Sequence, residues 1–205
     1  MRTFHAADVE VNVPGLGKLV VDIAYGGNYY AVIEPQVGWP GLDGMTAGDV
    51  VDLSQKLRDA LGTICDPVHP DDERIRGVHH AIWCDRPVSA EADGRGAVFY
   101  GDKAIDRSPG GTGTSARMAQ LHGKGRLKAG ETFRQESLIG ARSSKARSKK
   151  RQRSAASVAS GPASAAGRGS LGTTRYSLTI VTRSLTDFRS DRECSSGPAR
   201  SLLSS

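Results

Sequence analysis

The chain has 205 residues, of which 38% are hydrophobic, and it carries a formal net charge of +6 at pH 7. That length and apolar content are enough for one domain, or two small ones, with a modest core. No run of 18 apolar residues occurs and MRTFHAADVE lacks a basic region followed by an apolar run, which excludes a helical membrane span and predicts a soluble, cytoplasmic protein without a membrane partner.

Three strands are predicted in the first part of the chain. DVEVNV (Asp8–Val13) alternates acidic and apolar residues, PGLGK turns the chain, and KLVVDIA (Lys18–Ala24) resumes the apolar run, so the two segments form a hairpin. YYAVIE (Tyr29–Glu34) also has strand composition. Between them, Gly26 and Gly27 in YGGN allow a β-bulge or the close approach of another backbone.

TAGDVVDLSQKLRDALG (Thr46–Gly62) is the strongest helix pattern in the sequence. Thr46 is placed to cap the N-terminus, Asp49 supplies the acidic group of a capping box, and Gly62 marks the end. The helix should pack on a sheet through one apolar face, made by Val50, Val51, Leu53, Leu57, Ala60 and Leu61.

Two more strands and a second helix follow. RIRGVHHAIWC (Arg74–Cys84) and AVFY (Ala97–Tyr100) are predicted strands, and ADGRG between them is a predicted loop. TSARMAQLHGKGRL predicts a helix that begins near Thr112 or Thr114. This order of strands and helices indicates an α+β fold.

The tail from Ala141 differs in composition from the rest of the chain. Residues 1–140 carry 15 Lys+Arg against 19 Asp+Glu, whereas residues 141–205 carry 13 against 3, and 16 of these 65 residues are Ser. With no helical or strand period, the tail is predicted to be disordered, which divides the chain into 1–140 and 141–205. The basic run SSKARSKKRQRS would attract nucleic acid by charge, but few aromatic residues accompany it, so no specific nucleic-acid partner is expected.

The three cysteines, Cys65, Cys84 and Cys194, have no CxxC spacing. They fit neither a zinc site nor a disulfide framework, and they favour a reducing compartment. We therefore predict no metal.

The stretch AIDRSPGGTGTSARMA (Ala104–Ala119) resembles an active-site loop that enters a helix. A Gly-rich turn before a helix gathers backbone N–H groups at the positive end of the helix dipole, which suits a phosphate or a carboxylate. A phosphate-binding Walker loop needs a Lys before its Ser or Thr, and none is present here. The residues leave two interpretations open, an anion site and an ordinary Gly-rich turn.

IDRSPGGTGTSARMAQLHGKGRL, DIAYGGNYYAVIE and ETFRQESLIG resemble the proline racemase family over residues 6–140, and most of all its 4-hydroxyproline 2-epimerases. The resemblance implies the C-terminal half of a two-lobed, diaminopimelate-epimerase-like fold, with the active site between two similar halves. Family enzymes interconvert trans-4-hydroxy-L-proline and cis-4-hydroxy-D-proline by proton transfer between two cysteines, with no metal or organic cofactor. The implied partner is a small molecule, hydroxyproline or proline, and dimers occur in the family.

The resemblance also implies residues that would bind the substrate. Asp106 matches the aspartate that meets the substrate ammonium, and Gly111 and Thr112 match the backbone donors for its carboxylate. His80 in GVHHAIW matches a substrate-binding histidine, with the neighbouring His79 as the alternative register.

The proton-transfer groups of the family are absent from the sequence. Gly110 stands at the position of the second catalytic cysteine and has no side chain to donate or accept a proton. The MCGH motif of the first cysteine does not occur, since the chain begins where the second half of the family begins. The resemblance therefore predicts an inactive, truncated member of an isomerase family, with residual binding of a proline-like ligand as the alternative function and basic nucleic-acid binding as a less favoured one.

The tail carries a second sign of degeneration. Family members end in a segment resembling PSIxGWAxITGHNTIFADDRDPLAHGFQV, which is unlike anything after Gly140. When GHNTIFADDRDPLAHGF is back-translated and read from the second base of each codon, the sequence of Gly172–Phe188 satisfies every position. We therefore predict a frameshift near residues 140–142, equivalent to one lost base, and a pseudogene product.

Overall fold

A computed structural model of the chain describes residues 3–39 and 41–138, and the backbone of residues 173–177. These residues form an α+β fold, which confirms the predicted class. In chain order the elements are β1 (Thr3–Val13), β2 (Gly17–Tyr25), β3 (Tyr29–Ile33), α1 (Ala47–Gly62), β4 (Val68–His69), β5 (Asp72–Arg76), β6 (His80–Asp85), β7 (Gly94–Tyr100), β8 (Ala104–Ile105), α2 (Gly111–Gly123), β9 (Thr132–Ser137) and β10 (Thr173–Ser177).

The main sheet has the strand order β1-β2-β3-β6-β7-β9-β10, and β8 pairs with β7. The predicted hairpin is confirmed by the antiparallel pairing of β1 with β2, and β3 continues from it. Strands β3 and β6 are parallel, because α1 lies between them in the chain and returns it to the same edge of the sheet. This pairing sets Tyr30 beside His80, although 49 residues separate them in sequence.

The two helices lie on opposite faces of the sheet. Successive side chains of a strand point to opposite faces, and on β6 the Trp83 ring belongs to the core under α1 while Ile82 and Cys84 belong to the core under α2. The predicted capping box of α1 is confirmed, since the Asp49 amide donates to Thr46 Oγ1 at 3.2 Å and the Thr46 amide donates to Asp49 Oδ2 at 2.7 Å. Helix α1 therefore begins where its capping residues predict.

The predicted apolar face of α1 is confirmed. Val50, Leu57 and Leu61 are buried, and the other three predicted residues are partly buried and pack against the same core. The polar Ser54 also belongs to the buried face, because its hydroxyl donates to the Val50 carbonyl at 2.6 Å and accepts from Trp83 Nε1 at 2.7 Å. A serine is buried here because both of its hydrogen-bonding needs are met inside the core.

Helix α2 is almost entirely enclosed, and every residue from Gly113 to Leu121 is buried. Four of these residues are polar, and two of the four, Arg117 and Gln120, lie in a chain of short hydrogen bonds. Arg117 donates to Gln120 Oε1 and to Glu34 Oε1, both at 2.7 Å, and the Gln120 amide donates to Asp22 Oδ2 at 2.6 Å. The network ties α2 to β2 and to the end of β3, and it satisfies polar groups that burial would otherwise penalise.

Several predicted boundaries differ from the structure. The single strand predicted over Arg74–Cys84 is wrong, because the chain turns at Gly77, which has a φ of +74° and divides β5 from β6. Part of the predicted ADGRG loop is strand, since Gly94 begins β7. Helix α2 begins at Gly111, one residue before Thr112, which agrees with the earlier of the two predicted starts. Strand β9 was not predicted at all, because its TFRQES sequence has no clear alternation.

Only a small part of the tail lies among the described residues. Thr173–Ser177 form β10, which pairs antiparallel with β9 from Thr173 opposite Glu136 to Ser177 opposite Thr132. The rest of the segment predicted to be disordered, with its basic run and Cys194, lies outside the described residues.

The cysteines depart from their prediction. Cys65 is disulfide-bonded, so the argument from spacing against disulfides is wrong at this position. Cys84 is a free and buried thiol. The cysteines therefore no longer argue for a reducing compartment, and the cytoplasmic location stays a prediction. Neither of the two described helices is long and apolar enough to cross a membrane.

Candidate functional site

The loop before α2 is a tight, hydrogen-bonded turn that presents the carboxylate of Asp106. The Asp106 amide donates to the Val98 carbonyl on β7 at 2.8 Å. Asp106 Oδ1 accepts from the amide and the hydroxyl of Ser108 at 2.8 and 2.7 Å, and the Gly110 amide donates to Ser108 Oγ at 3.2 Å. These contacts use one carboxylate oxygen for the turn and leave Oδ2 on the side of Gly110.

Helix α2 begins with two exposed residues that precede its first intrahelical hydrogen bond. Gly110 is the N-cap and makes no side-chain cap, while Gly111 and Thr112 are exposed. The Thr114 amide donates to the Gly110 carbonyl at 3.3 Å, so the amides before it precede the intrahelical ladder. Thr114 does not cap the helix, since its hydroxyl donates to the Pro109 carbonyl at 2.8 Å. The first turn is therefore suited to an anion, and it has no acidic residue of its own.

The YGGN turn packs directly against this first turn. A Cβ on Gly26 would lie less than 3.0 Å from the Thr112 carbonyl oxygen and the Ala116 amide nitrogen. Gly27 has a φ of +123°, and a Cβ on it would lie 2.8 Å from Thr112 Cγ2. The close backbone approach predicted for the two glycines is confirmed, and its partner is α2.

Tyr30 is the neighbour that several candidate residues share. Its hydroxyl lies 2.7 Å from Thr112 Oγ1, and its ring is 5.1 Å from the His80 ring at an angle of 33°. Burial raises the pKa of Tyr30, the hydrogen bond with Thr112 opposes that rise, and the charge of Asp106 adds to it. The structure thus brings His80, Asp106 and Thr112 around one tyrosine that the sequence analysis did not single out.

The two neighbouring histidines lie in different surroundings. His80 is the first residue of β6 and lies half-buried against Tyr30, whereas His79 is exposed and its ring folds back over Gly77. Burial lowers the pKa of His80, and the positive charges of His79 and Arg58 lower it further. The buried Nδ1 of His80 has no hydrogen-bond partner in the part of the chain that the structure describes.

Gly110 occupies the point where the turn, the helix and Asp106 meet. It has a φ of +72°, and a Cβ placed on it would lie 3.3 Å from Asp106 Oδ2 and 3.5 Å from Val98 Cγ2. The free thiol of Cys84 is fully enclosed in the core under α2, and its burial raises its pKa. A buried neutral thiol is inert, so Cys84 does not replace a base at Gly110.

The family model described as proline racemase matches residues 3–178. The chain belongs to the proline racemase family. The match includes every strand and helix of the described fold, together with the loop from Asp106 to Gly110.

Alignment with individual family members shows what fraction of their length this chain covers. The 4-hydroxyproline 2-epimerase 2 of Rhizobium rhizogenes is 77% identical over 136 residues, which cover 66% of this chain and 41% of that protein. The 4-hydroxyproline 2-epimerase of Shewanella loihica is 50% identical over 133 residues, 65% of this chain and 40% of that protein. The chain is thus a relative of 4-hydroxyproline 2-epimerases and spans 40–41% of their length.

A solved structure has the same fold. The hydroxyproline epimerase from Agrobacterium vitis, crystallised with trans-4-hydroxy-L-proline, superposes with a TM-score of 0.61 at 30% identity and covers 67% of this chain and 39% of that protein. The two structures therefore share the fold of one part of the epimerase, which is 39% of its length.

Proposed function

We propose that this chain is a degenerate relative of 4-hydroxyproline 2-epimerase that has kept part of a binding site for an amino acid and has lost the proton transfer. In the proposed site Asp106 meets the ligand ammonium, the backbone of Gly111 and Thr112 meets its carboxylate, and His80 lies at the edge. The observation that carries the proposal is Gly110, which lies beside Asp106 at the helix start with no side chain.

The chemistry explains why this position matters. Inverting an amino acid at its α-carbon needs a base on one face of the carbon and an acid on the other, each within hydrogen-bonding reach of the proton. A thiol at the position of Gly110 would stand at the positive end of α2, which favours the reactive thiolate. Glycine offers no such group, while the N–H donors and the Asp106 carboxylate that would hold a ligand remain. Binding without turnover follows.

We predict that the full chain does not exchange or invert the α-proton. After incubation with trans-4-hydroxy-L-proline in D₂O, we expect no deuterium at the α-carbon and no cis-4-hydroxy-D-proline above a protein-free blank, because no base stands at Gly110. Proton NMR measures the exchange and chiral chromatography measures the epimer, with the Agrobacterium vitis epimerase as positive control. The variant Gly110→Cys should also form no epimer, since one thiol serves one face only. Epimer formed by the unmodified chain would refute the proposal.

We also propose that residues 141–205 are read out of frame, which ends the family sequence near residue 140 although the match to the family model extends to residue 178. The support is the agreement of Gly172–Phe188 with the shifted reading of the family C-terminus, and relatives at 50–77% identity that align over only 133–136 residues.

The encoding DNA tests this proposal directly. We expect that one added base between codons 138 and 144 restores a reading frame that encodes a segment like GHNTIFADDRDPLAHGF at residues 172–188. A gene in which no single-base insertion restores a family sequence there would contradict the frameshift and leave the tail as native sequence.

A further inference from the structure

Tyr30 lies in a position that packing alone does not explain. It is buried at the second residue of β3, and its ring faces the core under α2 together with Val32, Ile82 and Val98. The hydroxyl of a buried tyrosine usually has a hydrogen-bond partner. The hydroxyl of Tyr30 has its partner outside the core, in the first turn of α2.

The hydroxyl of Tyr30 and the YGGN turn together fix the side chain of Thr112. The Tyr30 hydroxyl lies 2.7 Å from Thr112 Oγ1 and also interacts with the Asn28 side chain. On its other branch, Thr112 Cγ2 packs against Gly27, where even a Cβ would be too close at 2.8 Å. Thr112 is exposed, yet both branches of its side chain are held. Holding them reduces the freedom of the backbone that carries its N–H group.

The ring of Tyr30 makes further contacts, with β6 and with α2. It lies against the His80 ring, its cross-strand neighbour, and its Cε1 is 3.6 Å from the Cβ position of Gly113. The start of β3, the start of β6 and the first turn of α2 are thereby held in one arrangement. Tyr30 is the residue that all three share.

We propose that Tyr30 is a positioning residue of this site. This inference rests on the proposed function. The Tyr30 hydroxyl holds Thr112 so that the N–H groups at the start of α2 converge on the carboxylate of a bound amino acid. The Tyr30 ring holds His80 beside the same proposed site. Tyr30 thereby sets the affinity for the carboxylate of the ligand without touching the ligand.

The test is a titration of the ¹⁵N-labelled full chain with trans-4-hydroxy-L-proline, followed at the amide signals of Gly111 and Thr112. The unmodified chain should show saturable shifts. In Tyr30→Phe, which keeps the ring and its contact with His80, the Kd should rise by about fivefold, the worth of one ordinary hydrogen bond. Tyr29→Phe is the matched control, because the neighbouring Tyr29 lies on the opposite face and its buried hydroxyl has no partner among the described residues, so its affinity should be unchanged.

A further variant separates positioning from packing. Thr112→Val keeps both branches of the side chain, including the methyl group that packs on Gly27, but removes the hydroxyl that bonds Tyr30, so it should lose affinity as Tyr30→Phe does. Combining Tyr30→Phe with Thr112→Val should cost no more than either change alone, since both remove one interaction. Pyrrolidine, which has no carboxylate, should bind the unmodified chain and Tyr30→Phe equally.

The outcomes distinguish the two proposals. An unmodified chain that shows no shifts overturns the proposed function and the role of Tyr30 with it. An unmodified chain that binds while Tyr30→Phe binds equally well overturns only the role of Tyr30. Equal losses in Tyr29→Phe and Tyr30→Phe also overturn that role, because they would show a general loss of packing.

Discussion

Replacing Arg117 by methionine is expected to lower the free energy of unfolding by about 3–5 kcal/mol, the usual cost of removing one partner from a buried ion pair. The Arg117 side chain is 10% exposed and donates to Glu34 at 2.7 Å. It also donates to Gln120 Oε1, which the variant would leave buried without a donor. Urea denaturation of the full chain measures the change.

Arg126 provides a matched control for this prediction. It donates to the same Glu34 carboxylate at 2.7 and 2.9 Å, but its side chain is 54% exposed. An exposed ion pair contributes about 0–1 kcal/mol, so Arg126→Met should change stability little. Equal losses in Arg117→Met and Arg126→Met would contradict the importance of burial in this network.

The free energy of unfolding measured at acid pH gives a second test of the same network. Burial by itself would raise the pKa of Glu34, but its ion pairs and hydrogen bonds with Arg117 and Arg126 outweigh burial and hold that pKa below its usual value of 4.5. The stability contributed by Glu34 is therefore present above pH 4.5 and is lost as the pH falls through the lower, folded-state pKa. In Arg117→Met the pKa is depressed less, so stability should decline less steeply below pH 4.5 than in the unmodified chain.

Gly26→Ala is expected to lower the free energy of unfolding by about 3 kcal/mol, the upper end for overpacking. The added Cβ would lie less than 3.0 Å from the Thr112 carbonyl oxygen and the Ala116 amide nitrogen. Both atoms belong to the α2 backbone and neither moves by rotating a side chain. The turn and the helix must therefore separate, which would also move the N–H groups of the proposed site. Thermal unfolding and the amide shift of Thr112 measure the two effects.

Gly62→Ala is the control for this substitution. Gly62 ends α1, and a Cβ on it would meet no atom within 4 Å. Alanine favours a helix over glycine by about 0.5–1 kcal/mol, so this variant should be as stable as the unmodified chain or more so. If Gly26→Ala were as stable as Gly62→Ala, the close packing of the YGGN turn on α2 would be wrong.

Much of the local structure could be predicted because it depends on neighbours in the chain. The capping box joins Thr46 and Asp49, which are three positions apart, and the hairpin of β1 and β2 follows from one turn between two strand-like segments. The break at Gly77 was missed, since a single glycine inside a predicted strand does not reveal a positive φ. Strand β9 was missed because TFRQES has no clear alternation, and its partners β7 and β10 come from distant parts of the chain.

The sequence by itself determined that residue 110 is a glycine, which has no side chain to move a proton wherever the fold places it. It also identified the DRSPGGTGTSARMA loop through residues that lie together in the chain. Only the tertiary structure decided which histidine packs against Tyr30 and that Tyr30 joins His80 to Thr112. Those contacts arise from the parallel register of β3 with β6 and from the packing of α2 on the sheet, and such long-range pairings leave no spacing in the sequence from which to read them.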